Sequence, residues 1–394
     1  MKRIFLTAAG IMALLQVFSQ QKDSTGFQNR KLHVDEVNLV SSYYRQDGNN
    51  AAVTGGIGSQ KLTDIANVFD LKLIRYDKKL RKHSYDIELG IDHYTSASSD
   101  RVDLKANSSA SYADTRFYPS VNWTMENESK GNSISAGVSS STEFDYQSFG
   151  GNIGFSKKTK DRNGEFSARL QVYLDQVKNI LPAELRPGGA DDKQAGSSSR
   201  NTFAGSFSYS QIINQRLQIA FLADVVQQQG LLSLPFYRVY FNDGSVHQEL
   251  LPDNRLKIPL GFRANYFLGD RFIVKTYYRY YTDSWGIRSH TMNIEVPVKF
   301  NAFLSVSPFY RYYTQTATDH FKGYGLHTSA EKYYTSNYDL SKFNSSFFGA
   351  GIRWAPPQGV FHMQHFNMIE LRYGHYAKNI NMQSDIISLN LRFK

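Results

Sequence analysis

HSYDIELGIDHY, residues 83–94, alternates almost residue by residue. Tyr85, Ile87, Leu89, Ile91 and His93 fall on one face, and Asp86, Glu88, Gly90, Asp92 and Tyr94 on the other. A two-residue period of this kind describes a β-strand with one apolar and one polar side. The period returns about fifteen more times before Lys394, and the connections between repeats alternate between short and long. That rhythm belongs to a single antiparallel transmembrane β-barrel with short periplasmic turns and long outer loops.

The strands fall at 34–45, 64–77, 83–95, 114–127, 132–141, 146–157, 165–177, 202–213, 216–229, 254–267, 271–283, 287–300, 303–315, 345–355, 367–377 and 383–394. They number sixteen, with boundary errors that leave fourteen or eighteen open. Both termini then lie on the periplasmic side. Connections 142–145 and 284–286 are short for the outer side, and 356–366 is long for the inner side. Prolines 119, 259, 297 and 308 fall inside strands and remove ladder donors, so bulges are expected there. A soluble sandwich or propeller would need polar cover over every apolar face, and no helix or second domain is legible to provide it.

The chain opens MKRIFLTAAGIMALLQVFSQQ, with Lys2 and Arg3 before an apolar run from Ile4 to Phe18. This reads as a secretory signal peptide, residues 1–19, cleaved near Ser19. Residues 20–33 follow as a short periplasmic segment and 34–394 as the barrel. Beyond Phe18 no apolar stretch reaches the eighteen residues that a helical span needs. The chain has no cysteine, which removes disulfides and thiol chemistry. A net charge of +10 would suit nucleic acid, but the Lys and Arg are scattered along alternating strands with no basic block. The 26 Tyr and 27 Phe suit aromatic girdles at two membrane surfaces.

Residues 277–282 (YYRYYT) and 309–314 (FYRYYT) nearly repeat, and Tyr43-Tyr44-Arg45 echoes them at the end of the first strand. By parity Tyr278, Tyr280, Tyr310 and Tyr312 face the outer lipid interface as a girdle, while Arg279 and Arg311 point inward. Parity also collects Asp70, Asp86, Glu88, Asp92, Glu126 and Asp175 on the inward face of the first half, with Lys72, Arg116 and Arg169 among them. The second half collects Lys257, Arg263, Lys275, Arg279, Lys299, Arg311, Arg353, Arg372 and Arg392, against Glu295 and Glu370. Acid on one wall and base on the other would set a transverse field across the lumen. The candidates for lumen selectivity are Asp86, Glu88 and Asp92 facing Lys275, Arg279 and Arg311. The last strand alternates Ile387, Leu389, Leu391 and Phe393, which resembles the signal read by the outer-membrane insertion machinery, although Lys394 follows the aromatic residue.

Signals for chemistry are weak. Neither G-x-S-x-G nor H-E-x-x-H occurs. His93, His290 and His375 fall near the outer rim on lipid-facing positions, where an interfacial role like that of tyrosine outweighs lipid hydrolysis with Thr95. His362 and His365, with Met363 nearby, could bind copper, but two ligands at this spacing on one turn are weak evidence, and the turn reads as amphipathic, with Phe361 and Phe366 packing at the inner interface; no metal site is expected. Gly55-Gly56-Ile57-Gly58 lacks the Lys-Ser/Thr of a phosphate loop and reads as flexible outer-loop backbone. No cofactor or catalytic residue is expected.

Three runs carry a family resemblance: DEVNLVSSYYRQDGNNAAVTGGIGSQKLTD from Asp35, KHSYDIELGIDHYTSASSD from Lys82 and STEFDYQSFGG from Ser141. They are similar to an uncharacterised bacterial envelope family, domain of unknown function 3570, common in Bacteroidetes. The resemblance implies an envelope protein of that phylum and supplies no site residues. The expected function is a channel or transporter for small solutes in the outer membrane, in contact with lipid and lipopolysaccharide. The alternatives are a structural or assembly partner of an envelope or secretion complex and, behind it, an interfacial lipid hydrolase.

Overall fold

The computed structural model describes residues 31–95, 113–188 and 196–394. The expected signal peptide, most of the segment 20–33 and loop residues 96–112 lie outside the described residues. Nine long strands come first: β1 (His33–Gly48), β2 (Leu62–Tyr76), β3 (Lys82–Thr95), β4 (Ala113–Asn127), β5 (Asn132–Thr142), β6 (Tyr146–Lys158), β7 (Gly164–Lys178), β8 (Ser197–Asn214) and β9 (Leu217–Gly230). Two three-residue strands, β10 (Arg238–Tyr240) and β11 (Val246–Gln248), form a separate hairpin in the next loop. The wall resumes with β12 (Asn254–Leu268), β13 (Phe272–Asp283), β14 (Arg288–Glu295), β15 (Val298–Lys299), β16 (Leu304–Gln315), β17 (Phe343–Trp354), β18 (Phe366–Lys378) and β19 (Met382–Phe393).

Each wall strand pairs antiparallel with its neighbours in sequence, and β19 returns to β1 from Val37↔Phe393 to Gly48↔Met382. Strands β14 and β15 lie between the same neighbours, β13 and β16, in one continuous register. They are one stave interrupted at Val296-Pro297, so the closed barrel has sixteen staves. Closure gives every interior strand two partners and leaves no open edge, the condition for backbone to cross lipid.

The four prolines do not make bulges. Pro119 sits opposite Leu89 and Pro308 opposite Ala350 with no shift in register, and pairing resumes unshifted on both sides of Pro259 and Pro297. Each proline deletes one N–H, and at two of them the carbonyl is in use: Pro308 accepts from Val296 N at 3.0 Å and Pro297 from Ile273 N at 3.1 Å. The register shifts instead at Val34/Glu36, Ile212/Asn214 and Phe366/Met368, all at the inner end of the wall.

Alternation assigns the faces. Ile91, Phe149, Leu170, Phe221, Met292 and Leu371 all point outward and are exposed. An apolar surface continuous around a closed sheet is a lipid-facing surface. No helix among the described residues is long and apolar enough to cross a membrane. Sixteen strands spaced by about 4.8 Å and tilted by about 40° close a backbone cylinder roughly 30 Å across, too wide for wall side chains alone to fill.

Candidate functional site

The lumen wall carries the candidate residues at positions fixed by strand pairing. On the acidic side Asp70 lies directly opposite Glu88, and Lys72 opposite Asp86, across β2 and β3. Like charges facing each other across a ladder are unfavourable, so this wall concentrates negative potential at a cost in stability. Asp92 faces Arg116 across β3 and β4 and accepts from the Tyr118 hydroxyl at 2.8 Å. Tyr118 can lie there because Gly90 leaves the space: a Cβ on Gly90 would sit 2.0 Å from the Tyr118 ring. Asp175, grouped with these acids in sequence, is buried and accepts from Tyr146 at 2.6 Å, so it is withdrawn from the lumen surface.

Strand β13 lies eight staves from β3 in either direction, which places Lys275 and Arg279 diametrically across the barrel from Asp86, Glu88 and Asp92. Arg263, Lys275, Arg279 and Arg311 are exposed although their positions face inward, so they line space open to solvent. Lys275 approaches Glu295 at 3.5 Å, and Arg311 meets Asn293 at 3.4 Å. Arg372 is held by Glu295 at 2.9 Å and Glu370 at 3.2 Å, and Arg392 by Glu36 at 3.4 Å. The basic wall is therefore partly neutralised, with Arg263, Arg279 and Arg311 forming no ion pair among the described residues.

A cap of outer loops covers the mouth. Loop 231–253, which carries the β10–β11 hairpin, and loop 316–342 share a small core in which Val239, His327 and Thr335 have no exposed surface. Phe241 packs edge-on against Tyr334 at 4.9 Å and beside His247 at 4.3 Å. Isolated bridges Phe241↔His327 and Leu250↔Tyr334 join the two loops. Glu249 is buried between them and accepts from Leu234 N at 2.8 Å and Thr335 Oγ1 at 2.5 Å. Burial pushes its carboxyl up to about 7, against the lowering effect of those two donors. Glu331 goes the other way: burial raises it, but donors from Lys322, His327 and Thr328 outweigh that and hold it at about 2.

The cap reaches across the barrel. Arg238, on β10, forms an ion pair with Glu184 of loop 179–196 and donates to the Val53 carbonyl of loop 49–61 at 2.9 Å. Loop 49–61 joins β1 to β2 and loop 231–253 joins β9 to β12; these pairs of staves are diametrically opposed. Gly55 and Gly56 take φ of +80° and +87° and fit closely under the cap. A Cβ on Gly55 would meet the Tyr240 ring at 2.5 Å, and one on Gly56 the Ser336 carbonyl at 2.7 Å. The reading of these glycines as flexible backbone is thus corrected, since they are packing contacts. Loop 316–342 is tied to the wall by Lys378–Asp339 at 2.5 Å and by Gln315 donating to the Asp339 and Ser341 carbonyls.

On the outer face Tyr278, Tyr310 and Tyr312 are exposed, and Tyr280 is half-buried beside His290 at 5.3 Å. The Tyr278 hydroxyl lies 2.7 Å from His290 Nδ1 and that of Tyr310 3.0 Å from Ser346. The echo at Tyr43-Tyr44-Arg45 takes the opposite parity: Tyr43 and Arg45 face outward and Arg45 stands opposite Asp385. His93 contacts Thr115 at 2.9 Å, with Thr95 bonded instead to the Thr63 backbone N–H at 2.9 Å. His375 contacts Asp385 at 2.9 Å, and the hydroxyl nearby, Tyr373, donates to the same oxygen. Neither arrangement aligns nucleophile, imidazole and acid in sequence. His365 is tied to the Lys394 carbonyl at 2.9 Å on the inner turn. Asp114, Glu143 and Asp145 bring carboxylate oxygens within 4.8 Å of one another at the outer rim, where Tyr94 and Arg116 contact Glu143.

Among solved structures the chain is similar to OccK9 (OpdG) of Pseudomonas aeruginosa, at 9% identity and a TM-score of 0.43 over 94% of this chain and 100% of that one. It is similar also to a bacterial polysaccharide outer membrane secretin, at 9% identity and TM-score 0.45 over 91% and 98%. A third likeness is to a mutant of the ferric enterobactin receptor PfeA of Pseudomonas aeruginosa, at 10% identity and TM-score 0.46 over 87% and 53%. No curated protein matches the sequence significantly. The profile of the family described as "Protein of unknown function (DUF3570)" matches residues 94–383, from the outer end of β3 into β19. With most of the barrel wall inside that match, the chain belongs to the DUF3570 family.

Proposed function

We propose that this barrel is a gated channel for small solutes in the outer membrane of a Gram-negative bacterium, without enzymatic activity. The observation that carries the reading is the exposure of Lys275, Arg279 and Arg311 on the inward face of the wall: these cations stay hydrated, so water fills the space they line. Asp86, Glu88 and Asp92 on the far wall complete a transverse field that sorts entering solutes by charge. Tyr278, Tyr280, Tyr310 and Tyr312 anchor the outer rim against lipid and lipopolysaccharide. The strand ending in Phe393 presents the barrel to the insertion machinery.

The cap favours a second reading, in which the barrel holds an envelope or secretion partner through its loops and the lumen stays sealed. Arg238 joins loops from opposite sides of the mouth and would close it in either case. The readings separate in planar-bilayer recordings of purified protein, with heat-modifiable mobility confirming the fold. Stepwise conductance that grows when the cap is loosened supports the channel. A folded barrel that conducts nothing with its cap disrupted supports the scaffold.

A further inference from the structure

The lumen is polar around most of its circumference, but one stretch of wall on β16, β17 and β18 is built differently. Phe309 and Phe347 lie with ring centroids 5.0 Å apart, and Tyr376 meets Phe347 edge-on at 6.3 Å. Glycines make room for them. A Cβ on Gly349 would come within 2.0 Å of the Tyr373 carbonyl and 2.8 Å of the Phe309 ring, and one on Gly374 within 2.5 Å of Phe347 and 3.2 Å of Phe309. Neither glycine has a positive φ: the missing side chain at Gly374 leaves space for the rings, and that at Gly349 does so too while letting the backbone of β18 approach. Gly351 does the same for Arg372, whose Cγ would lie 2.9 Å from an added Cβ. Three glycines on adjacent strands thus let two phenyl rings and an arginine stem lie against the wall.

The charges around these rings are unequal. Arg372 stands 5.1 Å from the Phe309 centroid and is satisfied by Glu295 and Glu370, with Lys275 also at Glu295. Two cations and two carboxylates there cancel. Arg311 stands 5.8 Å from the Phe347 centroid, meets Asn293, is exposed, and is left as the net positive charge of the site. The rings, Arg311, Arg372 and Ile386 line a hollow of about 160 Å³ open to the lumen. A cavity of about 150 Å³ is enough to take one benzene ring.

We infer that this wall is a binding subsite for organic monoanions with a flat apolar body, such as arene carboxylates: the ring lies on Phe309 and Phe347 and the carboxylate takes the guanidinium of Arg311. An arginine fork suits a carboxylate bidentately, and an aromatic platform rewards a ring over a methyl group. A site open on the lumen side holds its ligand weakly enough to release it, as passage requires. The inference deepens the channel reading and rests on it for its purpose, while binding itself can be measured without conduction.

The test is calorimetric titration of detergent-purified full-length protein with 2-naphthoate, acetate and 2-naphthylmethylamine. The expected result is saturable 2-naphthoate binding at least tenfold tighter than that of acetate or the amine. Arg311→Gln and Phe347→Leu should each weaken it about tenfold, and Lys160→Gln, on a turn away from the lumen, should leave it unchanged. Heat-modifiable mobility verifies that each variant folds. Absence of saturable binding, or binding that neither Arg311→Gln nor Phe347→Leu alters, overturns the subsite even if the protein conducts. Naphthoate binding lost in Arg311→Gln sustains it even if bilayer recordings show no conductance.

Discussion

Glu249 shows how one buried carboxyl can set the state of the cap. It is packed between loops 231–253 and 316–342, with Thr335 and Leu234 as donors, the Tyr237 hydroxyl nearby and Arg200 acting from the wall. Its folded value of about 7 exceeds the ordinary 4.5, so the closed cap binds the proton more tightly than the open one. The stabilisation is complete below about pH 4.5 and is lost as pH rises through about 7, a change on the order of 3 kcal/mol. Loop amides of 231–253 should therefore exchange hydrogen faster at pH 8 than at pH 5 after correction for intrinsic rates, and Glu249→Gln should flatten the difference. Exchange that ignores pH, or a glutamine variant that keeps the dependence, would refute this role. At Gly55 a Cβ would meet Tyr240 while the backbone holds φ of +80°, so Gly55→Val should destabilise the cap by about 1–3 kcal/mol and expose the outer loops to protease. Neither residue is legible in sequence as part of the cap, because Thr335 lies 86 positions from Glu249 and Tyr240 belongs to a different loop from Gly55.

At the scale of elements the wall strands were almost fully legible. Alternation is a local signal, and sixteen repeats of it place sixteen staves whose faces follow from parity alone. Proline misled, since a missing donor costs one ladder bond without forcing an extra residue into the strand. The β10–β11 hairpin has a local signal too: its turn, Asn242-Asp243-Gly244, carries the usual hairpin dipeptide, with Gly244 at φ +83°. The two charged walls follow from parity, but their neutralisation does not, because Glu295 bonds Arg372 across 77 positions. The acidic wall makes a prediction of its own. Asp86→Asn with Glu88→Gln removes two charges from β3 and should shift the cation-to-anion permeability ratio toward anions by about twofold, read as a reversal potential in a salt gradient. An unchanged reversal potential would mean that ions do not pass near β3.

The whole molecule is a wide closed cylinder with a dense cap at one end, and these two parts obey different rules. The cylinder holds its strands by ladder hydrogen bonds that lipid cannot replace. The cap is held by packing and hydrogen bonds between loops without a closed ladder, and such elements open at a fraction of the free energy that unfolds a barrel. Motion is therefore expected in the cap while the wall stays fixed. The most direct test compares planar-bilayer conductance of the wild type with Arg238→Ala/Gly55→Val, which removes the tie to Val53 and the fit under Tyr240. The account predicts brief or small conductance steps for the wild type and larger, longer-lived ones for the variant, with both migrating as folded barrels. A folded variant that conducts no more than the wild type would contradict it.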